Sequence, residues 1–133
     1  LKIKCHGIVV RSGAKSRMKL ADIKEFLKCQ LISAVDFDPD IDIQFAYASD
    51  LMSDILVAVK PGALLLTGLT HNQVIRTSKV AATSAVVFVR DKKPNADTIE
   101  LANQYNIPIL ATKLSMFDAC GILFANGVKG VSR

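Results

Sequence analysis

The residue types able to do chemistry in this chain gather in three polar loops. Thr67, Gly68, Thr70, His71 and Asn72 form the first. Arg90, followed by Asp91, Lys92 and Lys93, forms the second, and Thr112, Lys113 and Ser115 form the third. Together they offer hydroxyls, an amide, an imidazole and cations, a set suited to a small anion such as a phosphate, nucleotide or carboxylate. The first and third loops are also expected to open helices, whose amino termini favour negative charge. His71 could exchange a proton near neutral pH, but no Ser-His-Asp or Cys-His spacing accompanies it. A surface histidine in the first turn of a helix is the plainer reading. Thr67-Gly68-Leu69-Thr70 lacks the spacing of a phosphate-binding glycine loop. Gly68 is expected to allow either a positive φ or a close approach after a strand.

Two further groups carry reactive side chains. Asp50 and Asp54 stand at i and i+4. Paired carboxylates can hold a metal or run acid–base chemistry. Acids at a helix amino terminus also stabilise it by about 0.3–1 kcal/mol each, and capping is the favoured role. The three cysteines, Cys5, Cys29 and Cys120, are far apart and odd in number. A zinc or iron–sulfur site needs three or four ligands in recognisable spacing. Free thiols in a reducing compartment are expected instead, with no metal and no cofactor.

The elements that must position these loops follow from periodicity. Apolar residues at Leu20, Ile23, Phe26 and Leu27 predict a helix over 18–29, followed by a short strand over 30–35 and a turn over 36–40. Ile41, Ile43, Phe45 and Tyr47 alternate with wetter neighbours, which predicts a strand near a sheet edge. A helix over 51–59, capped by Ser49 or Asp50, stops at Lys60-Pro61-Gly62. Three short aliphatic runs then follow, at 63–67, 85–89 and 107–111. Such runs suit strands buried on both faces. Helices are expected between them over 72–82 and from Asn95 or Ala96 to Tyr105. A last helix over 116–125 is capped by Ser115 and closed by Asn126-Gly127. The fold class is therefore α/β: one three-layer α/β/α sandwich with a mostly parallel sheet. Ligands of such sheets gather at the carboxyl ends of the strands, where the three loops lie.

The chain has 133 residues, half of them apolar, which suits a single domain with a sizeable core. No apolar run approaches the about 20 residues that span a bilayer, and the first residues lack the pattern of a signal peptide. A cytoplasmic protein without membrane contact is expected. The net charge is +5, and residues 1–17 hold five basic side chains and no acid, so the remainder is balanced. A neutral domain with a basic leader gives no prior for nucleic acid. Residues 1–17 read as a tag or upstream extension and 18–133 as the domain. Within the leader, Ile8-Val9-Val10 could pair with a sheet edge.

Several segments together carry a family resemblance. They are Ser49-Asp50-Leu51-Met52-Ser53-Asp54-Ile55-Leu56, Lys60-Pro61-Gly62-Ala63-Leu64-Leu65-Leu66-Thr67, Lys92-Lys93-Pro94, and Ile109-Leu110-Ala111-Thr112-Lys113 with Ala119-Cys120-Gly121. Across residues 18–128 the chain resembles the DRTGG domain family. It is most similar to small stand-alone members often encoded beside iron-only hydrogenase genes, some of which carry an iron–sulfur-binding hydrogenase label. The resemblance implies an α/β/α fold like the amino-terminal domain of HPr kinase/phosphorylase. It also implies a regulatory role, as in phosphotransacetylases and CBS-containing pyrophosphatases. The Asp-Arg and Thr-Gly-Gly that give the family its name are here His71-Asn72 and Val89-Arg90-Asp91. No catalytic residue is therefore carried over, and two distant domain cysteines do not support the iron–sulfur label.

The expected function is a non-enzymatic regulatory or ligand-sensing module that binds a small anion through the three loops. A homodimer linked to a hydrogenase or redox-system protein is the expected assembly. A protein-binding scaffold without a small ligand, and a small phosphotransfer or hydrolase enzyme, are the alternatives.

Overall fold

In the computed structural model, residues 18–33 and 38–131 are described in full, together with the main chain of 2–5 and 8–11. The strands are β1 (Lys2–Cys5), β2 (Ile8–Arg11), β3 (Met18–Lys19), β4 (Gln30–Leu31), β5 (Asp42–Ile43), β6 (Phe45–Ala48), β7 (Leu64–Thr67), β8 (Ala85–Phe88), β9 (Ile109–Ala111) and β10 (Lys129–Gly130). The helices are α1 (Leu20–Phe26), α2 (Met52–Ala58), α3 (Asn72–Ala81), α4 (Ala96–Gln104) and α5 (Met116–Ala125). The main sheet has the order β10-β6-β7-β8-β9-β4. Five strands run parallel, and β4 pairs antiparallel with β9 at one edge.

The aliphatic runs behave as doubly buried strands. Leu64, Leu66, Ala85, Val87 and Leu110 face a layer formed by α1 and α5. Leu65, Val86, Phe88 and Ile109 face α2, α3 and α4. Side chains alternate across each strand, so an unbroken apolar run fills both cores at once. Each fully buried side chain of this kind contributes about 1.5–3 kcal/mol relative to exposure. The result is the three-layer sandwich with a mostly parallel sheet that the periodicity predicts.

Helix ends follow local chemistry. Asn95 Oδ1 accepts from the Thr98 amide, and Ser115 Oγ accepts from the Asp118 amide. These side chains satisfy donors that have no partner within the helix. At the amino end of α1, the Asp22 carboxylate accepts from the Lys19 amide.

Several boundaries differ from the periodic reading. The first helix starts at Leu20, because Met18 and Lys19 pair with Ile43 and Asp42 in a separate two-stranded ladder. Met18 is 1% exposed, so its side chain belongs to the core from a strand position. The alternation over 41–47 splits, with β5 joining that ladder and β6 joining the main sheet. The edge beyond β6 is β10, a strand too short to show a period. Ile8–Arg11 pairs with Lys2–Cys5, not with an edge of the main sheet. Residues 34–37, which include the predicted end of β4 and the start of the turn, lie outside the described residues, as do 12–17 of the leader. Among the described residues, no helix is long and apolar enough to cross a membrane.

Candidate functional site

Because β6, β7, β8 and β9 are parallel, the segments that leave their carboxyl ends share one end of the sheet. Of the eight residues expected at the site, Thr67 ends β7 and the other seven follow β7, β8 or β9. The segment after β6 adds Ser49 and Asp50 to the same end.

Asp50 does not cap the helix that follows it. That helix has Leu51 as its cap residue, with no side-chain cap bond, and Ser49 Oγ accepts from the Leu51 amide instead. The Asp50 carboxylate reaches across to β7. Its Oδ1 accepts from the Thr67 hydroxyl at 3.0 Å and from the Gly68 amide at 2.7 Å. Sequence reasoning missed this contact. The usable signal was position, since Asp50 lies just beyond the carboxyl end of another parallel strand.

Gly68 is buried, and its φ is not in the left-handed region. Of the two roles open to it, the structure selects close approach. A Cβ at Gly68 would stand 2.5 Å from Nη2 of Arg90. The guanidinium thus occupies the space a side chain would fill, while the Asp50 carboxylate binds the same glycine's amide. Among the described residues no carboxylate forms an ion pair with Arg90.

Arg90 is held in place by its backbone. Arg90 and Asp91 both adopt left-handed conformations, with φ of 59° and 56°. A non-glycine residue there costs roughly 1–2 kcal/mol. The offsetting bonds run to the neighbouring loop: the Arg90 amide donates to the Leu114 carbonyl, and the Asp91 amide to the Thr112 carbonyl, both at 2.8 Å. Two loops are thereby fastened together, and strained backbone of this kind clusters at ligand clamps and switches.

Thr67 and Thr112 have matching roles. Each hydroxyl accepts from an amide two residues on, Leu69 and Leu114 respectively. Each also donates inward, Thr67 to Asp50 and Thr112 to the Leu27 carbonyl at 2.6 Å. Such side-chain turns shape a loop. Both hydroxyl protons are engaged within the protein.

The remaining residues line two hollows. Thr70, His71 and Asn72 border an open space of about 550 Å³ between the starts of α3 and α4, with Lys93, Asn95 and Asp97 opposite. There the Thr98 hydroxyl approaches Asn72 Oδ1 at 2.5 Å and the Thr70 carbonyl at 3.4 Å. Lys113 and Thr112 border a smaller hollow of about 170 Å³ with Lys28, Asp91 and Lys93. Lys93 reaches both and lies 3.8 Å from Asp91 in an exposed pair. The predicted set therefore shares one sheet end but divides into an Arg90–Gly68 centre and two flanking hollows.

This arrangement offers cations, amides and a carboxylate for binding. Among the described residues, no hydrogen bond joins His71 to a hydroxyl, thiol or carboxylate. No group of three His, Cys, Asp or Glu side chains there could hold a metal ion. Burial pushes the Cys29 thiol up to about 12, partly offset by Lys24, and burial also raises Cys120. Neither thiol is primed as a nucleophile or ligand, since both chemistries use the thiolate.

The fold is an α/β sandwich with its polar loops gathered at one sheet end. No family profile matches the sequence, and no curated protein matches it. Among solved structures, the chain is similar to the CBS and DRTGG domains of the regulatory region of Clostridium perfringens pyrophosphatase, complexed with the activator diadenosine tetraphosphate. The TM-score is 0.68 at 14% identity, covering 83% of this chain and 47% of that one. At this identity the likeness shows a DRTGG-like fold, and the chain spans less than half the length of that neighbour.

Proposed function

We propose that this chain is a non-enzymatic regulatory module that senses a small anion at the carboxyl ends of its parallel strands. The observation that carries this reading is the Arg90 guanidinium, set against Gly68 with no carboxylate partner among the described residues. Its strained loop is tied to the loop bearing Lys113, and Lys93 lies between the two flanking hollows. His71, Asn72 and Thr70 would orient polar groups of the ligand, while Thr67, Gly68 and Thr112 shape the loops that hold them. The similar pyrophosphatase region was crystallised with a polyphosphate nucleotide activator. That makes nucleotide polyphosphates the first probes for this chain. We further infer from the family resemblance that the module is a cytoplasmic homodimer serving a hydrogenase or redox-system protein.

The test has two steps. Thermal shift is run with diadenosine tetraphosphate, ATP, pyrophosphate and acetyl phosphate. Any stabilising probe is then titrated against wild type and Arg90→Glu. Arg90 is exposed, so reversal should alter folding by no more than about 0.5 kcal/mol. Loss of a charge-assisted bond worth about 1.5–3 kcal/mol should lower affinity at least tenfold. Equal affinities would remove Arg90 from the site. No stabilisation by any probe would count against the sensing role.

A further inference from the structure

Asp50 holds Gly68 with only half of its carboxylate. Oδ1 takes both internal donors, the Thr67 hydroxyl and the Gly68 amide. Among the described residues Oδ2 has no partner. The residue is exposed, so this second oxygen is open to solvent. Its segment is also fixed from both sides. The Ser49 amide donates to the Leu66 carbonyl at 3.1 Å, and Ser49 Oγ accepts from the Leu51 amide at 3.0 Å. An acceptor pinned in this way loses little freedom when a ligand arrives.

The Arg90 guanidinium reaches the same glycine, 2.5 Å from where its Cβ would stand. Two opposite charges thus converge on one residue. They do not pair, since no Asp50 oxygen lies within 4.0 Å of a guanidinium nitrogen. Closing an exposed pair gains little, and Asp50 is already committed to its two donors. What remains is a free cation beside a free carboxylate oxygen. An ionised carboxylate only accepts hydrogen bonds. A bare anion seated on Arg90 would meet it as a like charge, whereas an anion that also carries a hydroxyl would satisfy both groups.

We infer that Asp50 sets the specificity of this site and that its ligand is a phosphorylated sugar. The phosphate sits on Arg90, and a sugar hydroxyl donates to Asp50 Oδ2. Discrimination then has an attractive and a repulsive part, because the carboxylate that receives the hydroxyl also disfavours phosphate alone. The adjoining loops carry more cations than acids, with Lys28, Lys93 and Lys113 around one hollow against Asp91. A doubly charged phosphate ester with a neutral donor suits that balance better than a zwitterion. Free sugar phosphates and the ribose of a nucleotide share this chemistry. The inference rests on the anion-sensing reading and names its ligand class.

The experiment is calorimetric titration of the full chain with ribose 5-phosphate, ATP, 2′,3′-dideoxy-ATP and pyrophosphate, in wild type and Asp50→Asn. Asparagine keeps one oxygen for the Thr67 and Gly68 donors and turns the free acceptor into an NH2 donor, so melting should stay native. Ribose 5-phosphate or ATP should bind wild type at least tenfold more tightly than pyrophosphate, and whichever does so tells free sugar from nucleotide. If it is ATP, the dideoxy form should bind about tenfold or more weakly, a comparison that needs no variant. Asp50→Asn should weaken the sugar phosphate by a similar factor while pyrophosphate binds equally or more tightly, because a like charge is gone. A merely structural role for Asp50 would weaken every probe alike. Such a uniform loss would overturn the inference, as would pyrophosphate matching both sugar phosphates or ATP matching its dideoxy form. Each of these leaves the anion site standing, provided that Arg90→Glu still weakens binding. Binding by none of the probes would overturn both readings.

Discussion

Replacing Gly68 by alanine separates the role of Arg90 from the fold more cleanly than deleting the arginine. The new methyl would stand 2.5 Å from Nη2 of Arg90, so one group must move. Gly68 is outside the left-handed region, and its backbone can accept a Cβ. The obstructing atom is the far end of an exposed side chain, so the guanidinium should swing out while the strand stays. Alanine stabilises by about 0.4–1 kcal/mol through the unfolded chain. Moving Arg90 off its preferred rotamer costs about 0.5–1.5 kcal/mol. These effects nearly cancel. At about 2.1 cal/mol/K of unfolding entropy per residue, a net 1 kcal/mol moves Tm by about 4 °C in a chain of 133 residues. Binding should respond far more. Losing a charge-assisted hydrogen bond of about 1.5–3 kcal/mol lowers affinity about 10- to 150-fold. Calorimetric titration with the probe that best stabilises wild type measures this, alongside a melting curve. Arg90→Gln should give a similar loss, and the double variant little more, since both remove one contact. Unchanged affinity in Gly68→Ala would refute the role given to the guanidinium. A fall in stability beyond about 3 kcal/mol, the scale of core or network damage, would mean that the main chain needs the glycine.

Thr112→Val keeps the side-chain shape but removes the donor to the Leu27 carbonyl and the acceptor for the Leu114 amide. Leaving such buried groups unpaired should cost about 1–3 kcal/mol in urea unfolding. In a Cys5→Ser background, a thiol reagent should label half-buried Cys120 before buried Cys29. The folded Cys29 pKa, about 12, lies above the ordinary 9.0. Its contribution to stability is therefore complete below about pH 9 and is lost as pH rises towards the folded value. Urea midpoints taken below and above that pH should fall in this direction. Removing residues 1–17 while keeping buried Met18 should cost less than about 2 kcal/mol, because among the described residues β1 and β2 form a ladder separate from the main sheet, although β2 lies beside α5; calorimetry of the shortened chain checks this.

The layers were legible because burial on both faces leaves a direct trace. Leu64-Leu65-Leu66, Val86-Val87-Phe88 and Ile109-Leu110 supply alternate side chains to opposite cores, so no polar residue interrupts them. Asn95 was read only as a possible helix start, and it proves to be the cap. Ser115 was legible as a cap because capping is a local act of one side chain on a nearby amide. Asp50 was not, since its choice between its own helix and Gly68 is settled by a strand pairing far along the chain. The left-handed turn at Arg90 and Asp91 carries no glycine to announce it. It is sustained by carbonyls of the next loop, and sequence spacing holds no record of them. The shared sheet end of the three loops followed from strand direction. Their division into a centre and two hollows depends on side-chain packing that spacing does not encode.

The two rims of the main sheet are drawn from distant parts of the chain. Gln30 pairs with Ala111, and Lys129 pairs with Phe45, whereas β6, β7, β8 and β9 pair with their successors in order. Each rim must close a long loop before its few main-chain bonds repay the lost entropy. The middle strands can assemble one crossover at a time. On the ribosome, β4 would wait for β9 to emerge, and β6 would lack its outer neighbour until β10 followed. Assembly should therefore run outward from the central strands, and the rims should be the first backbone to exchange its amide hydrogens with solvent.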